Sequence, residues 1–219
     1  MAKRVTQKTT ANAVVPIAIE AEQPSPAPEP VLTKMTSFTH AACEDHPDIS
    51  FTRYWWEERH NREGIEPWLR KKLYPGDDPI FGVAAKTEVL LPSTASSEYM
   101  QVGFLARRFD ETLPPFARHA MVQVKIFLER QEAWHIAYER VRSYAWAHFA
   151  HRLPTILIAH IPAVAGLNGR GNHIHCVVLS RGLTVNGFTG ACTALCSDTG
   201  YEEAIDAWQA HVDQEAEAA

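Results

Sequence analysis

The order of apolar and polar positions divides residues 86 to 213 into strands and helices. Lys86–Leu91 (KTEVLL) turns apolar towards its end, is stopped by Pro92 and predicts a short strand. Glu98–Phe109 suits a helix. Met121–Leu128 (MVQVKIFL) alternates and is rich in apolar and β-branched residues, which predicts a second strand. From Glu132 to about Phe149, Trp134, Ala137, Val141 and Tyr144 recur at helical spacing, and Pro154 ends the run. Thr155–Ile161 (TILIAHI) and His173–Leu179 (HIHCVVL) are two more strands. The segment between them holds Gly166, Gly169 and Gly171 and reads as a turn-rich loop. A last helix fits Glu202–Val212, with Ala204, Ile205, Trp208 and Val212 on one face and Thr199 with Glu202 as a capping box. The aromatic and charged stretch Phe51–Tyr74 is read as helical.

The ends differ from this middle. Five prolines between Pro16 and Pro30 alternate with Glu, Ser and Ala, a composition that buries little and stays extended. We therefore expect a disordered tail over 1–36, one domain over 37–212 and an acidic tail over 213–219. At 219 residues, 46% hydrophobic and 21% charged, the chain has the make-up of a globular protein, not of a disordered chain, a collagen or a disulfide scaffold. Cys43, Cys176, Cys192 and Cys196 are too few and too uneven for a disulfide framework, and Cys192 with Cys196 lacks the second pair that a zinc site of that kind needs. The apolar start is broken by Pro16 and ended by Glu20, a poor signal peptide, and Leu153–Gly169 is a poor membrane span. A cytoplasmic protein with reduced thiols is expected. The net charge of −5 averages over a change of sign. From Gln101 to Leu195 ten cations stand against five carboxylates, a net +5, and nine of the ten are arginine, the better fork for phosphate.

Of the eleven histidines, His160, His173 and His175 stand apart. If their two strands pair around a loop centred near Gly166 and Leu167, His160 falls opposite His173, with Cβ atoms roughly 4.5–5.5 Å apart. His175 follows two residues on and shares that face, while Ile174 and Cys176 point to the other face and pack on helices. Three neutral imidazoles with open remaining positions suit a catalytic divalent metal ion, Mg, Mn or Zn. The plain alternative is three histidines on a half-exposed sheet face, and a one-residue slip in register would turn His160 away from the others.

The segment TILIAHIPAVAGLNGRGNHIHCVVLSRGLTVNGF resembles the relaxase domain of the MobA/MobL mobilisation proteins, a family of His-hydrophobe-His endonucleases. The matching features are His160 at a strand end, the glycine-rich loop, Asn172-His173-Ile174-His175, the apolar strand to Leu179, Ser180-Arg181 and Gly187-Phe188. Glu88-Val-Leu-Leu-Pro92 and the order of later elements extend the likeness over about residues 86–213. The resemblance implies an α+β fold, an antiparallel sheet packed by helices around a central three-histidine hairpin. It also implies plasmid mobilisation chemistry: a tyrosine hydroxyl nicks one strand of single-stranded or transfer-origin DNA, leaving a phosphotyrosyl link, in company with other mobilisation or transfer proteins. The metal at His160, His173 and His175 would then bind phosphate oxygens. Arg170, Asn172 and Arg181 would contact DNA, and Phe188 would stack on unpaired bases.

Two departures follow. The family's nucleophile lies near the N-terminus on a helix in an alanine-rich context. Here Tyr54, beside Arg53, is the better of the early tyrosines, ahead of Tyr74, but its neighbours Trp55 and Trp56 are bulky. Family members carry carboxylates on the strand matching Val122–Leu128, whereas this chain has Gln123 and Lys125, with Glu129 at the end as a candidate support for the histidines. A lysine on the histidines' face would weaken a metal there. Two alternatives therefore stay open: a degenerate homologue that binds metal and single-stranded DNA without cleaving, and an unrelated metal-dependent hydrolase with Glu129 as its base.

Overall fold

Strands β1 (Thr36–Thr39) and β2 (Ile49–Trp55) open the fold, followed by helix α1 (Glu66–Leu73), β3 (Lys86–Leu90), α2 (Val102–Glu111) and β4 (His119–Phe127). Helix α3 (Trp134–Ala145) leads to β5 (Thr155–His160) and β6 (His173–Leu179). A small hairpin of β7 (Arg181–Thr184) and β8 (Gly187–Ala191) precedes the last helix, α4 (Asp198–Ala218). The structure, a computed structural model, describes residues 32–40, 46–75, 84–129, 131–162 and 171–218. Most of the expected N-terminal tail, Cys43, and the glycine-rich loop with Arg170 lie outside the described residues.

Six strands form one sheet in the order β1-β2-β4-β6-β5-β3, and every neighbouring pair is antiparallel. Helices cover both faces, so the α+β architecture expected above is the one the chain adopts. On one face Val122, Val124, Leu157, Ile174 and Cys176 pack against Tyr138, Val141 and Tyr144 of α3 and Trp208 of α4. On the other, Met121, Ile156, Ile158, Val177 and Leu179 pack against Leu69 of α1 and Leu105 and Phe109 of α2. This double cover explains why β5 and β6 read as continuous apolar runs: only their histidine ends are less than fully buried.

Several boundaries move. Phe51–Tyr74 is not one helix. Its first part is β2, which pairs with β4 from Ile49↔Ile126 to Trp55↔His119 and buries Ile49 and Phe51 beneath α4. Its last part is α1, at whose start the amides of Ile65, just before the helix, and Glu66 donate to the Asp110 carboxylate at 2.9 and 3.4 Å. Gly64 lies so close to Asp110 that a Cβ there would overlap the carboxylate. The predicted helix at Glu98–Phe109 splits into a 3-10 turn (Ser97–Met100) and α2. Helix α3 continues as a single π-turn, Trp146–Ala150, before Pro154 stops it.

Helix α4 starts at Asp198, so Thr199 is not its cap. The Ser197 hydroxyl takes that part, accepting from Gly200 N at 3.3 Å. The helix runs on to Ala218 through residues read as an acidic tail, and there Glu215 pairs with Arg140 of α3 at 2.8 Å. The β7–β8 turn needs Gly187, whose φ of 99° lies in the region that favours glycine. No described helix is long and apolar enough to cross a membrane.

Candidate metal centre

The β5–β6 pairing places Ala159 opposite Ile174, His160 opposite His173 and Ile158 opposite His175. This is the register expected from the sequence. Side-chain parity then sends His160, His173 and His175 to the face that carries α1 and α2. Their ring centroids lie 4.8–5.1 Å apart. One ring nitrogen from each lies within 4.8 Å of the others, so the three can hold a metal ion.

Hydrogen bonds fix the tautomers of two rings. His160 Nε2 donates to the carbonyl of Lys72 at 2.6 Å, and His173 Nδ1 donates to the carbonyl of Gly171 at 3.0 Å. A carbonyl can only accept, so His160 Nδ1 and His173 Nε2 carry lone pairs. These two atoms face each other at 3.2 Å. Two lone pairs at that distance repel unless a cation sits between them. A shared proton is disfavoured, because burial lowers the pKa of all three rings, to about 4 for His173 and about 2 for His175. A metal ion fits instead. Metal–nitrogen bonds of about 2.0–2.1 Å set two ligand nitrogens roughly 2.9–3.4 Å apart at angles of about 90–110°. His175 is 2% exposed, and its Nδ1 has no hydrogen-bond partner among the described residues.

These shifts set a pH dependence. A histidine whose folded pKa lies below its unfolded value near 6.5 binds protons more readily when unfolded. Its contribution to stability is therefore complete above pH 6.5. It is lost as the pH falls from there through about 4, the value for His173. The metal-free protein is expected to melt at a clearly lower temperature at pH 5 than at pH 7. The His173→Gln variant should lose part of that difference, as scanning calorimetry will show.

The support for the rings comes from the main chain. Lys72 lies in the last turn of α1, where unpaired carbonyls and the helix dipole favour positive charge. Glu129, expected as the supporting carboxylate, stands exposed beyond the end of β4 and makes no described hydrogen bond to the histidines. Lys125 sits directly opposite His175 across β4–β6 and shares the histidines' face. Its Nζ lies 4.3 Å from the centroid of Phe127. Phe127 is 41% exposed and its ring is 6.2 Å from His173. Strand parity groups Lys125 with Phe127 and His173 with His175, and the β4–β6 register puts the two pairs on one face.

Other expected site residues lie elsewhere. Tyr54 is on strand β2, not on a helix, and its ring packs 5.0 Å from Trp68. Burial pushes its phenol pKa up. It pairs with Met121, four residues along β4 from Lys125, about 13 Å at strand rise. Asn172 adjoins His173: its carbonyl accepts from Leu128 N at 2.9 Å, and its buried Oδ1 has no described partner.

Arg181 is 5% exposed and does not face solvent. Its guanidinium donates to the carbonyls of Thr189, Thr112 and Phe188 and lies over the Phe109 and Phe188 rings. Phe188 is half-buried and packs edge-on to Tyr99 and Phe109 against the core. Arg181→Met should thus act on folding. It leaves three carbonyls without their donor and is expected to cost about 3 kcal/mol in urea unfolding, with oligonucleotide affinity of the folded protein unchanged.

No protein-family model matches the sequence, and no curated protein matches it significantly. Among solved structures, the chain is similar to one described under the molecular basis of vancomycin resistance transfer in Staphylococcus aureus. The match has 15% identity and a TM-score of 0.49, covering 63% of this chain and 74% of the other.

Proposed function

We propose that the protein nicks one strand of DNA by metal-dependent transesterification, with a tyrosine hydroxyl as nucleophile, as a relaxase of plasmid or mobile-element mobilisation. The observation that carries this reading is the pair of bare nitrogens, His160 Nδ1 and His173 Nε2, held 3.2 Å apart beside His175. The resemblance of Thr155–Phe188 to the MobA/MobL pattern supports it. Single-stranded or origin DNA is the proposed partner, together with other mobilisation proteins, and the cytoplasm the proposed location.

A divalent ion held by the three rings would neutralise the non-bridging oxygens of the scissile phosphate. The Lys72 and Gly171 carbonyls keep His160 and His173 in the tautomers that present lone pairs. The tyrosine Oη attacks phosphorus and the P–O3′ bond breaks. The phenolic proton is lost as the departing 3′ oxygen gains one, which leaves a 5′-phosphotyrosyl link and a 3′-hydroxyl. Attack by that hydroxyl reseals the strand.

Tyr74 is the tyrosine we favour. Tyr138, Tyr144 and Tyr201 belong to the core on the opposite face of the sheet. Tyr99 is 3% exposed, and Tyr54 is packed against Trp68. Tyr74 is 60% exposed and ends α1, two residues after the Lys72 carbonyl that holds His160. It also lines a cleft of about 760 Å³ between α1, α2 and β3.

The test is incubation with supercoiled plasmid and single-stranded oligonucleotides in Mn²⁺ or Mg²⁺, read on denaturing gels. A covalent protein–DNA band is expected. Metal and oligonucleotide binding without that band would favour the second reading, a non-cleaving descendant, for which the burial of Tyr54 speaks.

A further inference from the structure

The ammonium groups of two lysines beside the histidines, Lys72 and Lys125, have no part in the chemistry above. Lys125 stands opposite His175 at cross-strand distance, and the Lys72 ammonium extends from α1, 5.2 Å from the Trp68 ring. Both are half-buried, and neither forms an ion pair with a carboxylate among the described residues. Lys125 Nζ lies 4.3 Å from the centroid of Phe127, whose ring is 6.2 Å from His173, and the Lys72 carbonyl is bonded by His160 Nε2 at 2.6 Å, so both residues border the three rings.

With a divalent ion on the histidines, this region would hold four positive charges with no described carboxylate to offset them. Such a site repels its own metal. An anion bound between the metal and the lysines removes the conflict. A phosphodiester is the anion that also accounts for Phe127, an exposed ring at the rim of the same site.

We infer that Lys72 and Lys125 clamp a phosphodiester of single-stranded nucleic acid onto the histidine site, with Phe127 as the platform for an adjoining base. The inference rests on the metal-site reading above and adds a coupling to it. The lysines hinder metal binding in the free protein and reverse that effect once the phosphate is in place. By linkage, oligonucleotide must then raise metal affinity by the same factor by which metal raises oligonucleotide affinity.

The experiment is a calorimetric titration of the full chain with Mn²⁺ alone, with a 12-nucleotide oligothymidylate alone, and with each in the presence of the other. It is run on wild type, Lys125→Met, Lys72→Met and the charge-preserving Lys125→Arg. In the methionine variants, Mn²⁺ alone is expected to bind about ten-fold tighter, because a like charge is removed from its surroundings. Oligothymidylate is expected to bind about ten-fold more weakly, with its salt slope reduced by roughly 0.7 per lysine removed. Lys125→Arg should stay near wild type in both.

Opposite signs are the signature, since a merely damaged fold would weaken both ligands. Mn²⁺ affinity that is unchanged or weaker in both methionine variants overturns the clamp, as does an unchanged oligonucleotide salt slope. If wild type binds no Mn²⁺ at all, the metal reading fails, and the oligonucleotide arm alone then decides on the lysines.

Discussion

Tyr74→Phe is expected to abolish covalent attachment to DNA, lowering adduct formation by roughly 1,000-fold or more, while metal and oligonucleotide affinities stay at wild-type values. The variant removes one oxygen from an exposed side chain, so folding is not at risk. Tyr54→Phe is expected to leave the adduct yield nearly unchanged. The contrast follows from where the two phenols stand. Tyr54 is half-buried, packed on Trp68 against the core that α1 and α2 cover, and burial makes its proton harder to remove. Tyr74 is open to solvent at the end of the helix whose Lys72 carbonyl holds His160. Quantifying protein–DNA adduct on denaturing gels, beside a filter-binding assay, separates attack from binding.

His173→Ala is expected to lower divalent-metal affinity by roughly 100- to 1,000-fold, beyond the 10- to 100-fold typical when only an outer partner of a ligand is lost. Adduct formation should fall with it. The same substitution should cost the metal-free protein little, within about 1 kcal/mol. His173 is only partly buried, and its Nε2 faces another lone pair at 3.2 Å, so part of what is removed is a repulsion. A histidine kept for packing would behave in the opposite way, with a clear loss of metal-free stability and no metal to lose. Equilibrium dialysis against Mn²⁺ and urea unfolding in chelator measure the two quantities.

The three-histidine hairpin was legible in the sequence because two local rules determine it. Strand parity sends His173 and His175 to one side, and the centre of the twelve-residue loop between β5 and β6 sets which residue opposes His160. A conflict between Lys125 and a metal was visible as a question only, because the face Lys125 takes depends on the β4–β6 register, which puts it opposite His175. The residues around the hairpin were harder to read. Ile49–Trp55 alternates, but the charged run Glu57–Glu58–Arg59 that follows it drew the whole stretch towards a helix, and pairing with β4 is a long-range event that no local pattern states. The contribution of Lys72 depends on α1 docking its C-terminal turn against the end of β5. Arg181 and Phe188 matched the family pattern in position, yet the pattern does not say which way they face, and the chain turns them inward onto Phe109 and Tyr99.

Peptide mapping of the protein–DNA adduct by mass spectrometry tests the central claim most directly. The protein is incubated with single-stranded and supercoiled DNA in Mn²⁺, digested with nuclease and protease, and compared with a chelator-treated sample and with the His173→Ala/His175→Ala double variant. The account predicts a phosphonucleotide on the peptide that carries Tyr74, present with metal and absent both in chelator and in the double variant. An adduct that persists in the double variant, or one that forms equally well in chelator, contradicts it.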